Sequence, residues 1–370
     1  MSGAQIPLVD LKAQHAEIAD EVTAGFARVI ADTAFVLGPQ VREFESEFAR
    51  FCEVPHCVGV ANGTDAIELT VRALGIGPGD EVIVPANTFI ASALGVVRAG
   101  ARPVIVDCDA YQLLDPARIE AAVGPRTRAI LPVHLFGQIA DMERISAVAA
   151  VHGLAVIEDG AQSQGARRNG RPSGSFGVAA ATSFYPGKNI GAYGDAGAVV
   201  TASDEIAGHL RKLRNWGSET KYHHPEIGFN SRLDTLQAVV LAAKLKRLDG
   251  WNAARREAAA RYGELLAGVE GVELPRTLPG NEHVWHLYVV RVADRDTVLA
   301  RLNAEGIGAG IHYPVPLHLH GALGFLGHHA GDFPQAERAA AEILSLPMHP
   351  HITPEQQERV AAALRRAIAA

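Results

Sequence analysis

Short apolar segments alternate with helical patterns between residues 57 and 203, and this alternation constrains the fold more than any other feature of the chain. The apolar segments are CVGVA, EVIVPA, RPVIVD, TRAILPV, LAVIED, AAATSF and GAVVTA. Amphipathic patterns predict helices between them, over 64–74, 89–99, 115–123 and 141–152. Strands that are apolar along their whole length and separated by helices are typical of a mainly parallel sheet covered on both faces. The chain is therefore predicted to be an α/β protein.

The segments on either side of this alternation predict further elements and a second, smaller domain. Two helices are expected before it, over 15–31 and 39–52. After it, the polar stretch RNWGSETKYHHPEIGFNSRLD is too long for a simple connection, and loops of that length are often functional. The remainder is expected to contain a long helix from Asp234 to Leu265, a strand over 284–292, a helix over 294–305 and a final helix opened by Thr353 and Pro354. These patterns predict a large domain over residues 1–245 and a small α+β domain over residues 246–370.

Composition and charge narrow the range of functions. The chain has 370 residues, of which 48% are hydrophobic and 20% charged, so it can bury a large core, which argues against intrinsic disorder. Its net charge of −7 is opposite to the basic excess that nucleic-acid-binding proteins use against phosphates. No apolar run reaches the roughly 18 residues of a membrane helix, and the first residues lack the pattern of a secretory signal. We expect a cytoplasmic protein with no nucleic-acid or membrane partner.

The cysteine and histidine spacings do not predict a metal site. The chain has 3 cysteines, an odd number in a long chain, which is not a disulfide framework. Cys52, His56 and Cys57 do not have a usual zinc spacing. The histidines between residues 312 and 320 are separated by two prolines, so they do not share one regular face. No metal is expected.

Polar residues follow three of the predicted strands, and ligands of parallel sheets bind at these strand ends. Gly63, Thr64 and Asp65 open a helix; Thr64 or Asp65 can cap it, and the backbone N–H groups there can hold a phosphate. An ordinary turn with a helix cap explains the same residues. Asp159 ends LAVIED and is either a cap or a buried carboxylate that needs a partner cation. Lys188 follows a neighbouring strand, where loss of solvation lowers the pKa of its amine.

Two common phosphate-binding motifs are excluded by their spacing. Lys188 is followed by Asn189, where a P-loop requires serine or threonine, and the glycines over 75–79 precede a strand, where a dinucleotide fingerprint would open a helix. A lysine and an aspartate on adjacent strand ends, with a Gly-Thr helix start, are the parts that hold pyridoxal phosphate. The lysine forms a Schiff base, the carboxylate keeps the pyridine nitrogen protonated, and the helix start binds the phosphate.

Longer motifs carry a resemblance to a known family. The chain resembles the DegT/DnrJ/EryC1/StrS sugar aminotransferases over nearly its whole length. The matching motifs are NGTDAIELTVRAL, VIVPANTFIASALGV, VIEDGAQSQGA, SFYPGKNIGAYGDAGAVV and GFNSRLDTLQAVVLAAKL. The resemblance implies a fold-type I pyridoxal-phosphate transferase, similar to aspartate aminotransferase. It also implies L-glutamate as amino donor, pyridoxamine phosphate as the intermediate form of the cofactor, and an obligate homodimer whose sites are shared across the interface.

The resemblance also implies a role for individual residues. Lys188 would be the Schiff-base lysine and Asp159 the partner of the pyridine nitrogen, and these two would be the catalytic residues. The other cofactor-binding residues would be Gly63, Thr64, Asp65 and Ser183 at the phosphate, Gln162 near the ring hydroxyl, Phe89 on the ring face away from Lys188, and Asn230 at the phosphate of the neighbouring subunit. The substrate-binding residues would be Tyr185, Lys221, Arg232, His312 and Tyr313.

Two of the substrate assignments have equally simple alternatives. Lys221 could neutralise a diphosphate, or it could be an exposed loop lysine. Arg232 could hold the carboxylate of the amino acid, or it could form a surface or interface salt bridge.

The sequence around the lysine separates subgroups of the family. Enzymes that aminate C4 of the sugar typically carry a histidine before the lysine segment and Gly-Glu-Gly-Gly after it, whereas this chain has Gly194-Asp195-Ala196-Gly197. It resembles the subgroup that aminates C3 of nucleotide-linked 3-keto-deoxysugars, usually dTDP-linked.

Other functions are weighed against this one. The alternatives are an enzyme specific for C4 or for UDP-linked sugars and, more distantly, a non-catalytic cofactor-binding regulator. Lys188 argues against a dehydratase of the same family, which would carry histidine at that position. The missing glycine fingerprint argues against an NAD-dependent oxidoreductase.

Overall fold

The computed structural model describes residues 5–369 and contains a large mixed sheet with helices on both faces. The strands are β1 (His56–Val60), β2 (Glu81–Pro85), β3 (Arg102–Val106), β4 (Thr127–Ile130), β5 (Ala155–Asp159), β6 (Arg167–Arg168), β7 (Arg171–Pro172), β8 (Ala179–Ser183), β9 (Gly197–Thr201), β10 (Asn281–Glu282), β11 (Tyr288–Arg291) and β12 (Ile343–Leu346). The helices are α1 (Leu11–Ala16), α2 (Ala19–Asp32), α3 (Pro39–Phe51), α4 (Gly63–Ala73), α5 (Ile90–Arg98), α6 (Pro116–Ala122), α7 (Met142–His152), α8 (Asp204–Leu213), α9 (Thr235–Leu245), α10 (Leu248–Leu266), α11 (Arg295–Ala304), α12 (Pro334–Glu342) and α13 (Pro354–Ala369). None of the helices within residues 5–369 is long and apolar enough to cross a bilayer.

The main sheet has seven strands in the order β1-β9-β8-β5-β4-β2-β3. All neighbouring pairs from β3 to β8 are parallel, whereas β9 is antiparallel to both β8 and β1. Residues 184–196 contain no helix to carry the chain back across the sheet, so β9 returns antiparallel beside β8. The predicted α/β class with a mainly parallel sheet is confirmed. Because β5 and β8 are parallel neighbours, the residues that follow both strands meet at one sheet edge.

Branched apolar side chains fill the centre of this sheet. Ile83, Ile130 and Ile157 on three adjacent strands are completely buried. Burial of each such side chain is worth about 1.5–3 kcal/mol. The sheet is therefore a rigid support for the residues at its edge.

The C-terminal residues form a second core that shares a strand with the first. Tyr288 and Val290 pack with α10, α11 and α13, whereas Val289, on the opposite face of β11, packs against the core of the main sheet. This alternation follows from the two-residue period of a strand. The boundary predicted between residues 245 and 246 lies next to the turn between α9 and α10, and the division into two domains stays a prediction.

Three predicted elements differ from the structure. The single helix predicted over Asp234–Leu265 is wrong, because the chain forms a turn between α9 and α10, where the Arg247 N–H donates to the Lys244 carbonyl at 2.9 Å. The helix predicted over 15–31 is interrupted between α1 and α2. The strand predicted over 284–292 is shorter because Trp285 adopts a left-handed φ of 47°.

Gly197 provides a test of how closely α4 approaches the sheet. A Cβ at residue 197 would lie 2.4 Å from the carbonyl carbon of Asn62 and 2.8 Å from the nitrogen of Gly63. Backbone atoms cannot move aside cheaply, so we expect Gly197→Ala to lower the free energy of unfolding by about 1–3 kcal/mol, measured by urea denaturation. The control is Gly208→Ala on α8, where a Cβ meets nothing within 4 Å. The control should be neutral or stabilising by about 0.5–1 kcal/mol, and equal stabilities of the two variants would contradict this packing.

Candidate active site

The start of α4 lies at the edge of the sheet and presents free backbone donors. The prediction that Thr64 or Asp65 caps this helix is wrong. The cap is Asn62, whose Oδ1 accepts from the Asp65 N–H at 2.8 Å. The Asp65 carboxylate is used elsewhere, by Ser231 Oγ at 2.7 Å and Arg98 at 3.0 Å. The N–H groups of Gly63 and Thr64 precede the first intrahelical hydrogen bonds. They are the donors that an anion at this helix start would find.

Ser183 ends β8 directly beside this helix start. A Cβ on Gly63 would lie 2.6 Å from the Cβ of Ser183, so only glycine allows the approach. The structure thus brings together Gly63, Thr64 and Ser183, three of the residues predicted to surround a phosphate.

Asp159 is a buried carboxylate at the end of β5. It is 4% exposed and accepts from Ser92 Oγ at 2.7 Å and from the Ala161 N–H at 3.1 Å. Ser92 in turn contacts Thr88 Oγ1 at 2.9 Å. Among residues 5–369, no cationic side chain lies within ion-pair distance of Asp159. The predicted need for a partner cation is therefore not met by the described part of the chain.

Lys188 lies in a compact turn after β8, where its own N–H donates to the Tyr185 carbonyl at 2.8 Å. Burial lowers the pKa of the Lys188 amine to about 8, although the nearby Asp159 carboxylate acts in the opposite direction. An amine with this pKa is partly neutral near pH 7, which is the form that attacks a carbonyl. Lys188 and Asp159 are therefore close enough to interact, as the parallel pairing of β5 with β8 predicts.

A buried amide network holds the residue after the lysine. Asn189 is 1% exposed and donates through Nδ2 to Asn252 at 2.9 Å and to the Val284 carbonyl at 3.0 Å. Its Oδ1 must then accept, and the partner is His286 Nδ1 at 3.1 Å. Burial and the nearby Lys188 lower the pKa of His286, so the imidazole is neutral with its proton on Nδ1.

Gln162 and the segment 312–313 complete the wall beside Asp159. Gln162 accepts from the Phe136 N–H at 2.6 Å and donates to Tyr313 OH at 3.1 Å. The Tyr313 ring lies 5.1 Å from the ring of Phe89. His312 binds Ser345 Oγ at 2.8 Å, and burial, with the Lys188 charge, lowers the pKa of His312 to about 4. His312 and Tyr313 thus reach the site from the C-terminal part of the same chain.

Of the remaining predicted residues, Tyr185, Lys221 and Asn230 are exposed and Arg232 is half-buried. Tyr185 is exposed, and Asn230 accepts from Arg232 Nη2 at 2.7 Å. Arg232 also donates to Asn215 at 3.2 Å. Lys221 lies on an exposed loop with its Nζ 5.0 Å from the Tyr222 ring. The roles of these four residues stay predictions.

Two residues at the site were not predicted, Ser92 and His286. Ser92 is a buried serine within the apolar helix α5, and a polar residue on an apolar helix face was the available signal. His286 lies in an apolar run, where a structural histidine is equally probable on sequence grounds, so the sequence carried no separate signal for it.

The donors fit pyridoxal phosphate. Asp159 is a buried carboxylate without a cation from the described chain, which suits a protonated pyridine nitrogen. The amine of Lys188 has a pKa of about 8, which suits condensation with an aldehyde. The N–H groups of Gly63 and Thr64, which have no acceptor within residues 5–369, suit a phosphate. Phe89, whose ring is 50% exposed, presents an aromatic face beside Tyr313.

Comparison with known proteins gives concordant matches over nearly the whole chain. The sequence profile of the DegT/DnrJ/EryC1/StrS aminotransferase family matches residues 16–365. The dTDP-3-amino-3,4,6-trideoxy-alpha-D-glucose transaminase of Streptomyces venezuelae is 49% identical over 362 residues, covering 98% of this chain and 96% of the relative. The UDP-N-acetyl-3-dehydro-alpha-D-glucosamine 3-aminotransferase of Acidithiobacillus ferrooxidans is 48% identical over 365 residues, covering 98% of each chain.

The crystal structure of S. venezuelae DesV in complex with a ketimine intermediate superimposes with a TM-score of 0.96 at 49% identity, covering 98% of each chain. The fold and the site define a fold-type I, pyridoxal-phosphate-dependent aminotransferase. The chain belongs to the DegT/DnrJ/EryC1/StrS aminotransferase family.

The lowered pKa of Lys188 can be measured directly. In the cofactor-free protein, we expect the rate of acetylation of Lys188, followed by mass spectrometry, to rise with pH around a midpoint of about 8. Asp159→Asn should move the midpoint lower, because the carboxylate raises the pKa of the amine. Asp204→Asn, which removes a surface carboxylate paired with His56, should leave the midpoint unchanged. A midpoint near the ordinary lysine value of about 10.4 would show that burial does not act on this amine.

Proposed function

We propose that the protein transfers the amino group of L-glutamate to the C3 keto group of a dTDP-linked deoxysugar, in the biosynthesis of an amino sugar. The observation that carries the chemistry is the meeting of Lys188, whose amine has a pKa of about 8, with the buried Asp159 carboxylate at one sheet edge. The names of the S. venezuelae and A. ferrooxidans relatives both describe amination at C3, although their nucleotides differ. The Gly194-Asp195-Ala196-Gly197 run supports the same position.

The nucleotide has a specific second candidate. The A. ferrooxidans relative is named for a UDP-linked sugar and is almost as similar to this chain as the dTDP-sugar transaminase. A UDP-linked 3-keto sugar is therefore the second candidate substrate.

Lys188 would hold the cofactor and then carry the proton. When bound, pyridoxal phosphate supplies an aldehyde for the lysine amine and a ring that accepts electrons from the reacting carbon. Roughly one tenth of an amine with a pKa of 8 is free at pH 7, so Lys188 can condense without a separate base. Once freed by a substrate, the Lys188 amine takes a proton from one carbon and returns it to another, which contributes about 10²–10⁴-fold to the rate.

The other residues orient and stabilise. Asp159, held by Ser92, stabilises positive charge on the ring nitrogen. Gly63, Thr64 and Ser183 would bind the phosphate, and Asp65, whose own N–H already donates to Asn62, would follow them at the same helix start. Phe89 would pack against the ring, and Gln162 would lie near its hydroxyl. The sugar and its diphosphate would lie against Tyr185, Lys221, His312 and Tyr313, with Arg232 at the carboxylate of glutamate.

We further propose a homodimer in which Asn230 completes the site of the partner subunit. The segment that carries Asn230 also exposes large apolar side chains, with Tyr222 84% and Ile227 89% exposed. Apolar residues clustered on an exposed segment are typical of an interface. The three cysteines are free and buried, which fits a reducing compartment, and we place the enzyme in the cytoplasm.

The amino-donor half of the reaction is the first test. Adding L-glutamate to the enzyme loaded with pyridoxal phosphate should remove the visible absorbance of the lysine-bound cofactor and release 2-oxoglutarate. Lys188→Ala should lose about 10²–10⁴-fold in turnover while remaining folded by circular dichroism. Absorbance that stays unchanged with glutamate would indicate a passive cofactor binder, and normal turnover of Lys188→Ala would refute the role of this lysine.

The position of amination is tested in the reverse direction. Enzyme and 2-oxoglutarate are incubated with dTDP- and UDP-linked 3-amino and 4-amino sugars, and glutamate formation is followed. We expect consumption of 3-amino sugars, with dTDP-linked compounds consumed faster. Consumption of only the 4-amino compounds would overturn the C3 assignment, and faster consumption of UDP-linked compounds would select the second candidate.

Sharing of sites between subunits is tested by mixing two inactive variants. Lys188→Ala and Asn230→Ala subunits are dissociated, mixed in equal amounts and reassociated. If Asn230 acts on the partner, each mixed dimer has one site without either change, so about a quarter of all sites should regain activity. No recovery, although mixed dimers form, would show that Asn230 acts within its own subunit or not at all.

A further inference from the structure

Lys244 on α9 is a buried cation that has no role in the proposed reaction. Its side chain is 1% exposed, and its Nζ donates to the carbonyl of Gly191 at 2.6 Å. Within residues 5–369, no carboxylate lies within ion-pair distance of Lys244 Nζ. Burying an ammonium group without a carboxylate is costly, so the contact with Gly191 has to supply a compensating benefit.

Gly191 belongs to the same compact turn as Lys188. The turn is closed by the bond from the Lys188 N–H to the Tyr185 carbonyl and by the bond from the Ala192 N–H to the Phe184 carbonyl, both at 2.8 Å. A Cβ on Gly191 would lie 2.3 Å from the Pro186 carbonyl oxygen. Because Gly191 packs directly on the backbone that precedes Lys188, a displacement of Gly191 displaces the lysine.

A second contact from α9 holds the residues that follow. Gln237 lies two helical turns before Lys244 on the same face, and its Oε1 accepts from the Tyr193 N–H at 2.8 Å. The Tyr193 ring lies 5.2 Å from Lys244 Nζ, and its hydroxyl contacts His15 Nδ1 at 2.5 Å. The face of α9 that carries Gln237 and Lys244 thus contacts the segment after Lys188 at two points, Gly191 and Tyr193.

We propose that Lys244 is a positioning residue, whose buried ammonium group anchors the Gly191 carbonyl and thereby sets the direction of the Lys188 amine. A neutral side chain of the same length would leave the carbonyl unpaired in an apolar environment. The inference rests on the proposed role of Lys188.

Hydrogen–deuterium exchange of the full-length protein, with and without pyridoxal phosphate, tests the anchor without turnover. In Lys244→Met, we expect exchange in the peptide 185–197 to be about tenfold faster than in the wild type, corresponding to one lost hydrogen bond. The matched control is Lys246→Met, two residues further on, which removes a largely exposed lysine paired with Glu21. Exchange in 185–197 equal to the wild type in a folded Lys244→Met protein would overturn the proposal.

The kinetics of Lys244→Met and of Lys244→Arg provide a second test of the proposed positioning role. Lys244→Met should lower kcat for the glutamate half-reaction by about 10- to 100-fold, because a small misplacement of the amine is enough, with a smaller effect on KM. Lys244→Arg, which keeps a cation, should restore part of this loss. If Lys244→Met does not fold, Lys244→Gln is compared in its place, and faster exchange throughout the protein would then show a merely structural role. Failure of the proposed role of Lys188 would be seen separately. The Lys188→Ala protein would then retain turnover, and hydrogen exchange in its peptide 185–197 would equal that of the wild type.

Discussion

The site depends on a carboxylate that the sheet buries without an ion-pair partner among the described residues. Asp159 ends β5, and within residues 5–369 its oxygens accept hydrogen bonds only from a serine hydroxyl and a backbone N–H. Such a group is stabilised when a positive charge comes close, and Lys188, in the turn that follows the neighbouring strand β8, is close enough to interact with it. Burial makes the Asp159 carboxylate unfavourable without a cation, and it also lowers the pKa of the Lys188 amine. One packing arrangement therefore prepares both groups for the cofactor.

Much of this arrangement could be predicted because parallel strands bring distant residues to one edge. The positions of Asp159, Lys188 and the start of α4 follow from three strand ends, and each strand end is visible as the limit of an apolar run. The sequence could not predict which of several suitable neighbouring residues takes a given structural role. Asn62 and Thr64 are both good caps, and only the backbone geometry decides between them. The break between α9 and α10 lies at Lys246 and Arg247, and neither residue is a glycine or proline that would have indicated it in the sequence.

Residues whose partners are distant in the chain escaped prediction for a different reason. Ser92 and Asp159 are 67 positions apart, and Asn189 and His286 are 97 positions apart, so no local pattern links them. The C-terminal segment brings His312 and Tyr313 to the site because Gly310 pairs with Ser345 of β12 and His312 bonds to the Ser345 hydroxyl. Asn230 and Lys221 are exposed on the single chain, and Arg232 is half-buried beside Asn230. Their proposed roles require a surface that only a second molecule or a substrate provides.

The acidic net charge of −7 does not conflict with an anionic substrate. Charges separated by more than about 8–10 Å in physiological salt are largely screened, so the total charge has little influence inside a cleft. The local field is set by nearer groups. The start of α4 contributes about half a positive charge. The exposed Lys221 and the half-buried Arg232 lie on the segment that also carries Asn230. In the proposed arrangement the phosphate of the cofactor would be met by fixed backbone donors, whereas the diphosphate of the substrate would be met by side chains. This division follows from function, because a resident cofactor benefits from a rigid site and a substrate has to enter and leave.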